Sequence, residues 1–259
     1  MELHHVRTGS GRPLLLIHGL GGSTETWSTV VGELATQREV ITVDLPGFGR
    51  TPTLAGQVTV MALADAVADF VTGHGLDGVD VLGNSLGGQI ALELKRRGLA
   101  GNVVALDPSG FARGAELRMF RVSLRLSMKL VRLLSPLLPF LAGNPVTRTL
   151  LLSQFSARPW ALDRELVLRE LRSFAMSEGS APTLAALSSG TEQSGMSSGS
   201  PDPVVIGWGR RDWVLLPPQA KRAALAFPGA ELHWFAGCGH LPQWDVPDQV
   251  TRLVLRATG

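Results

Sequence analysis

Val81-Leu82-Gly83-Asn84-Ser85-Leu86-Gly87-Gly88 decides the fold of this chain. It reads as a short apolar strand, a Gly-x-Ser-x-Gly turn, and a helix continuing through Gln89-Ile90-Ala91-Leu92-Glu93-Leu94. A serine on such a strand-to-helix turn is held in a strained backbone conformation with its hydroxyl pushed out above the sheet. Glycines at 83 and 87 suit a place where two segments approach too closely for a Cβ. The helix that follows points its N-terminal N–H groups and positive dipole end at the serine, where an oxyanion would form.

Strands and helices alternate on both sides of this turn. Residues 13–18 form a continuous apolar run ending in His18-Gly19-Leu20-Gly21-Gly22-Ser23, as expected of a strand buried on both faces. A helix is predicted over 24–36, a strand over 40–44, the glycine-rich turn Leu45-Pro46-Gly47-Phe48-Gly49-Arg50, and a helix over 60–71. A further strand is predicted over 102–107, then strands over 203–208 and 230–235 and helices over 217–227 and 246–257. This pattern predicts an α/β fold, a doubly wound, mostly parallel sheet flanked by helices.

The alternation lapses over 111–181. Pro136, Pro139, Pro145 and Pro159 cut that stretch into helical pieces, read as an inserted cap between core segments 1–110 and 182–259. Its first helix, 115–134, carries Arg118, Arg121, Arg125, Lys129 and Arg132 in one basic stripe, with Leu117, Phe120, Leu124, Met128 and Val131 on the opposite side. Such a helix serves as a lid over a pocket, or lies on an anionic membrane. Residues 188–200, rich in Ser and Gly, read as a flexible return loop.

Composition narrows the partners. A formal net charge of +2 gives no case for nucleic acid, although arginine outnumbers lysine. The lone cysteine, Cys238, forms no internal disulfide and suits a reducing compartment. The first residues lack a signal-peptide pattern, and no run of eighteen apolar residues occurs, so a cytoplasmic chain without stable membrane insertion is expected. Oligomeric state is left open, a homo-oligomer included.

In an open parallel sheet, ligands bind beyond the carboxyl ends of the strands. Ser85, Asp212 (in Gly209-Arg210-Arg211-Asp212) and His240 (in Gly237-Cys238-Gly239-His240) each lie just past a predicted strand end. A serine hydroxyl needs an adjacent imidazole to take its proton, and the imidazole needs a carboxylate to fix its tautomer. Ser85 is therefore read as nucleophile, His240 as general base then acid, and Asp212 as orienting carboxylate. Asp107 also ends a strand and stays open as an alternative carboxylate. Asp44 is read as a stabiliser of its glycine turn and Cys238 as a packing residue. The pair His4-His5 lacks the carboxylate or cysteine neighbours of a metal site, so no metal and no cofactor is expected.

These motifs, with Asp44-Leu45-Pro46-Gly47-Phe48-Gly49 and Gly207-Trp208-Gly209, resemble the α/β-hydrolase superfamily over nearly the whole chain. The resemblance implies an oxyanion hole built from the backbone N–H groups of Leu20 and Leu86, with His18 bracing the loop. It also implies a serine hydrolase of the carboxylesterase type, with Gly19, Asn84 and Trp244 beside the substrate, and the leucine-rich cap and scarce charge near the catalytic loops suit small to medium apolar esters. A serine at 85 argues against the dehalogenase and epoxide hydrolase branches, which place aspartate there. Asn84 and Gln243-Trp244 also resemble the C–C bond hydrolases of meta-ring-fission products, which set a cap arginine against a substrate carboxylate. The loop after His18-Gly19 lacks the asparagine usual in those enzymes. A non-hydrolytic binding or biosynthetic protein on the same fold is the alternative of another class.

Overall fold

The computed structural model describes residues 1–190, 192–196 and 203–259. Its described strands form one sheet in the order β1-β3-β2-β4-β5-β6-β7. They are β1 (His5–Thr8), β2 (Pro13–Ile17), β3 (Glu39–Val43), β4 (Val79–Asn84), β5 (Ala100–Leu106), β6 (Val204–Gly209) and β7 (Glu231–Phe235). Only β1 pairs antiparallel, with β3; all other described pairs are parallel. The chain leaves β3 on one side of β2 and returns as β4 on the other. The ends of β2 and β4 thus flank the point where the strand order reverses, the place where open sheets form their binding crevice.

The sheet is covered on both faces, which is why its inner strands read as unbroken apolar runs rather than as alternating patterns. On one face Leu14, Leu16, Val40, Leu82 and Val104 pack with Trp27 and with α1 (Val31–Leu34) and α11 (Pro247–Thr258). On the other, Leu15, Ile17, Ile41, Val43 and Val81 pack with α2 (Val60–Gly73), α3 (Leu86–Arg96) and α9 (Pro218–Ala226). The segment predicted as one helix over 24–36 is instead a 3-10 turn, Thr24–Trp27, followed by the four-residue α1. Ser and Thr there bond locally: Ser23 Oγ accepts from Glu25 N (3.2 Å) and Thr26 Oγ1 from Ser23 N (3.0 Å), which competes with a continuous helix.

Between β5 and β6 the described regular structure is helical. α4 (Ala115–Leu133), α5 (Leu138–Gly143), α6 (Pro145–Leu152), α7 (Arg164–Met176) and α8 (Ser180–Leu187) lie there, and α10 (Pro242–Asp245) follows β7. α8 runs through residue 181, so a division at that residue falls inside a helix. These helices enclose a small core of their own, Val131, Leu138, Ala142, Leu152, Leu166 and Leu171, with Trp244 packed into it from α10. Of the expected return loop, residues 191 and 197–200 lie outside the described residues. The rest of it is irregular and tied down by Gln193 N donating to Gly110 O (2.9 Å) and Met196 N to Ala226 O (2.9 Å).

Candidate active site

Ser85 stands between β4 and α3 with φ 56° and ψ −115°, a region that side chains other than glycine rarely enter. The turn is held from several sides: Ser85 N donates to Leu106 O (2.9 Å), and Ser85 O accepts from Gln89 N (3.0 Å) and Ser109 N (3.1 Å). Its glycines are required by contact. A Cβ at Gly87 would sit 1.9 Å from Ile17 O, and one at Gly83 would sit 2.2 Å from Gly87 O. The close approach of β2 to the head of α3 is therefore a property of the sequence.

His240 and Asp212 arrive from the loops after β7 and β6. His240 Nδ1 lies 2.8 Å from Asp212 Oδ2, with His240 5% and Asp212 2% exposed. Asp212 Oδ1 accepts from Val214 N (2.7 Å) and Leu215 N (2.9 Å), so the carboxylate is fixed by three donors. With Nδ1 given to Asp212, Nε2 is the imidazole nitrogen left for chemistry. Ser85 and His240 line one cavity, although Ser85 Oγ forms no hydrogen bond with a described residue in this resting arrangement. Contacts of this kind commonly tighten only when substrate binds.

Asp107, the rival carboxylate, lies in the same cluster, with one ligand atom each of Asp107, Asp212 and His240 within 4.8 Å of one another. It is fully buried, its Oδ1 accepts from Gly209 N (2.8 Å) and its Oδ2 has no partner. Burial, and then the charge of Asp212, push its carboxyl well above the ordinary range. Asp107 is thus pushed toward its neutral form, next to the carboxylate that holds the His240 ring. A cation at this cluster would have to compete with the imidazole and amide donors that already occupy Asp212.

The other sequence-derived residues divide clearly. The backbone N–H groups of Leu20 and Leu86 have no partner among the described residues. Gly19 lies against Ser85, where an added Cβ would meet Ser85 Cβ at 3.0 Å. Asn84 lines the cavity but is engaged as a strut. Its Nδ2 donates to Leu106 O (3.2 Å) and His240 O (3.1 Å), and its Oδ1 accepts from Gln243 (3.3 Å). Trp244 also lines the cavity, with Nε1 donating to Thr26 O (3.3 Å). His18 donates from Nδ1 to Gly19 O (2.7 Å) and accepts at Nε2 from Leu45 N (2.9 Å), a neutral imidazole whose pKa burial lowers. Asp44 accepts from Thr24 N (2.6 Å), Arg50 N (2.8 Å) and His4 Nδ1 (2.9 Å), joining the glycine turn to two neighbouring segments. His5 packs edge-on to Phe70 and His74, away from His4's partner. The Cys238 thiol is buried and its pKa is raised by that burial, so it is an inert packing group.

Two acidic residues emerge that sequence reading passed over. Asp245 ties the His240 loop to the helical insertion, its Oδ2 accepting from Gly239 N (2.7 Å) and Ala157 N (2.8 Å), while His240 N donates to Phe155 O (2.8 Å). Glu170 lines the cavity from α7, opposite Ser85, with both oxygens 3.1 Å from Thr26 Oγ1. Its signal was present: a carboxylate on the same helical stripe as Leu166, Val167, Leu171 and Phe174. Burial pushes the Glu170 pKa up to about 8, against the smaller opposing effects of the Thr26 hydrogen bond and the Arg169 charge.

That shift sets a pH dependence. In the unfolded chain the carboxyl ionises near its ordinary value of 4.5, while in the folded chain it holds its proton to about 8. Its contribution to stability is therefore complete below the lower value and is lost as pH rises through the higher one. Between about pH 5 and about pH 8, wild type should lose stability relative to Glu170→Gln by on the order of a few kcal/mol. Urea unfolding across that window measures the gap, and parallel curves for the two proteins would contradict it.

The cavity itself measures about 60 Å³. Phe120, Leu124, Leu152, Phe155, Leu171 and Phe174 supply much of its apolar wall. No arginine or lysine is among its described lining residues.

A doubly wound sheet that presents a strained serine and a buried imidazole–carboxylate pair at its switch point has the architecture of a hydrolase-fold enzyme. The chain belongs to the alpha/beta hydrolase family, whose sequence model matches residues 14–253. An uncharacterized protein of Mycobacterium tuberculosis (strain ATCC 25618 / H37Rv) is 29% identical over 262 residues, covering 96% of this chain and 75% of the relative. The 2-hydroxy-6-oxo-6-phenylhexa-2,4-dienoate hydrolase of Burkholderia cepacia is 25% identical over 265 residues, covering 98% and 90%. Among solved structures, a thermophilic esterase from Thermogutta terrifontis superposes with a TM-score of 0.76 at 23% identity, covering 98% of this chain and 92% of that one. At that identity the likeness speaks to the fold.

Proposed function

We propose that the protein is a serine esterase that cleaves small, uncharged, apolar carboxylic esters through an acyl-enzyme. Ser85 Oγ attacks the ester carbonyl carbon while His240 Nε2 takes its proton, and Asp212 holds the imidazole and balances its charge. The tetrahedral oxyanion forms against the N–H groups of Leu20 and Leu86, each donor typically worth about 3–4 kcal/mol of barrier. The protonated His240 then gives its proton to the departing alkoxide. Water, deprotonated by the same imidazole, attacks the acyl carbon, the bond to Ser85 Oγ breaks to release the acid, and His240 returns the proton to Ser85 Oγ. Residues 111–181, continuing through α8, act as a cap that excludes bulk water and sets the size of the acyl group. The observation that carries this reading is His240, paired with Asp212, lining the same small apolar cavity as Ser85.

C–C bond cleavage is the second reading, favoured by the similarity to the Burkholderia cepacia dienoate hydrolase. Those substrates are carboxylates. Here the cap turns none of its arginines onto the cavity and offers Glu170 instead, a group that repels a carboxylate whenever it ionises. A panel of p-nitrophenyl acetate, butyrate and palmitate with a ring-fission dienoate separates the readings. Short esters should turn over, palmitate far more slowly because the cavity is small, and the dienoate not measurably. Faster turnover of the dienoate would establish the C–C activity, whereas failure to be labelled by a fluorophosphonate would leave only a binding role.

A further inference from the structure

The outward side of α4 sets two different surfaces next to each other. Phe120, Leu124, Met128 and Val131 are buried against the fold, as the sequence pattern requires. Turned away from them, Met119, Val122, Leu126, Leu130 and Leu133 form an apolar strip that is between 41% and 77% exposed. The chain then bends by 65° into the segment Ser135–Gly143, where Leu137 and Phe140 extend the apolar surface at 55% and 75% exposure. Exposed apolar groups this numerous in one place mark an interaction site rather than ordinary surface.

The basic stripe runs alongside the apolar strip. Arg118, Arg125, Lys129 and Arg132 are exposed and Arg121 is half-buried. Residues 117–162 carry seven arginines and lysines and no aspartate or glutamate. Arg118, Arg121, Arg125 and Lys129 form no ion pair with any described residue. Their charge is uncompensated among the described residues.

We propose that this face is a docking surface for an anionic lipid bilayer, with α4 lying flat in the headgroup region. An apolar strip beside a cationic stripe on one helix is the pattern of an interfacial helix, its side chains entering the acyl boundary while the charges meet lipid phosphates. A second copy of the chain is a poorer occupant, because a two-fold contact through α4 would bring its basic stripe near that of its partner. Crossing the bilayer is also disfavoured: the inner side of α4 is committed to the cavity wall and the insertion core, and among the described residues no single helix is long and apolar enough to span a membrane. The proposal is independent of the esterase reading, since none of the outward residues lines the cavity.

Co-sedimentation of the full chain with vesicles tests it. The protein should bind vesicles of phosphatidylcholine mixed with phosphatidylglycerol, bind phosphatidylcholine alone weakly, and lose much of its binding at high salt. Replacing Arg118, Arg125 and Lys129 by glutamine should reduce partitioning onto the mixed vesicles by about a hundredfold, at roughly fivefold per charge. Leu126→Ser with Leu133→Ser should reduce it by at least about tenfold. Both variants should keep wild-type circular dichroism and wild-type turnover of a dissolved p-nitrophenyl ester. Absence of binding to the mixed vesicles, or binding that neither variant alters, would overturn the proposal. So would a concentration-dependent dimer dispersed by the leucine variant in protein that ignores vesicles, which would give the face to a second copy.

Discussion

Ser85→Ala is expected to lower turnover of p-nitrophenyl butyrate by roughly a million-fold while leaving the melting temperature where it was. The two halves of this result have separate causes. Ser85 Oγ forms no hydrogen bond with a described residue, so removing it orphans no partner and opens only the space of one oxygen. The strained backbone is retained, because alanine meets the same steric limits at φ 56° as serine does. The turn is fixed by contacts that the substitution leaves intact, including Ser85 N to Leu106 O at 2.9 Å and the apposition of Gly87 to Ile17. The chemistry, by contrast, loses the atom that forms the covalent bond. Stopped assays on rigorously separated variant protein, paired with a thermal melt, read both quantities. A variant within about tenfold of wild type would remove Ser85 from the nucleophile's role.

Elements whose pattern depends on near neighbours were legible in the sequence. β2, β3, β4, β5 and β6 read as apolar runs because each is buried on both faces, and the polar residues just past their ends mark the site edge. Ser85, Asp212 and His240 could be named from their place after a strand, since the parallel sheet sends all those loops to one rim. The resemblance supplied Leu20 and Leu86, backbone donors that no side-chain pattern reveals. What stayed hidden depends on pairings between remote segments. Thr26 and Glu170 meet across 144 positions, and only the fold brings a carboxylate on α7 to the cavity that Ser85 also lines. Asp245 carries no sequence signal of its own, and its work of tying Gly239 to Ala157 exists only once the helices between β5 and β6 have folded over the sheet. Asn84, which the resemblance places beside the substrate, lines the cavity, and only the fold shows that its amide also donates to the carbonyl of His240. On α4 the sequence separated a basic face from an apolar one. Only exposure shows that a second apolar strip, from Met119 to Leu133, is left facing outward.

Asp212→Asn is expected to cost about four orders of magnitude in kcat, and Asp107→Asn to cost little. The two carboxyls lie in one buried cluster with His240, and both end at the sheet rim, so proximity does not choose between them. Their hydrogen bonds do. Asp212 receives three donors, from Val214 N, Leu215 N and the His240 ring, an arrangement that holds the carboxylate in place and fixes the imidazole with its proton on Nδ1. An asparagine there would either present its amide to Nδ1 and invert the tautomer, or lose the charge that balances the imidazolium formed during attack. Asp107 receives one donor, Gly209 N, keeps one oxygen unpartnered, and is driven to its neutral form by burial and by Asp212. Asparagine is close in shape to a protonated aspartate and can still accept from Gly209 N, so Asp107→Asn preserves both the charge state and the bond. The two variants assayed side by side, with kcat and KM separated, decide the matter: loss of kcat in Asp107→Asn with activity kept in Asp212→Asn would transfer the orienting role to the end of β5. An equal loss in both would mean that the pair shares one proton and titrates as a unit, and a pH–rate profile of each variant would then show the acidic limb displaced in both.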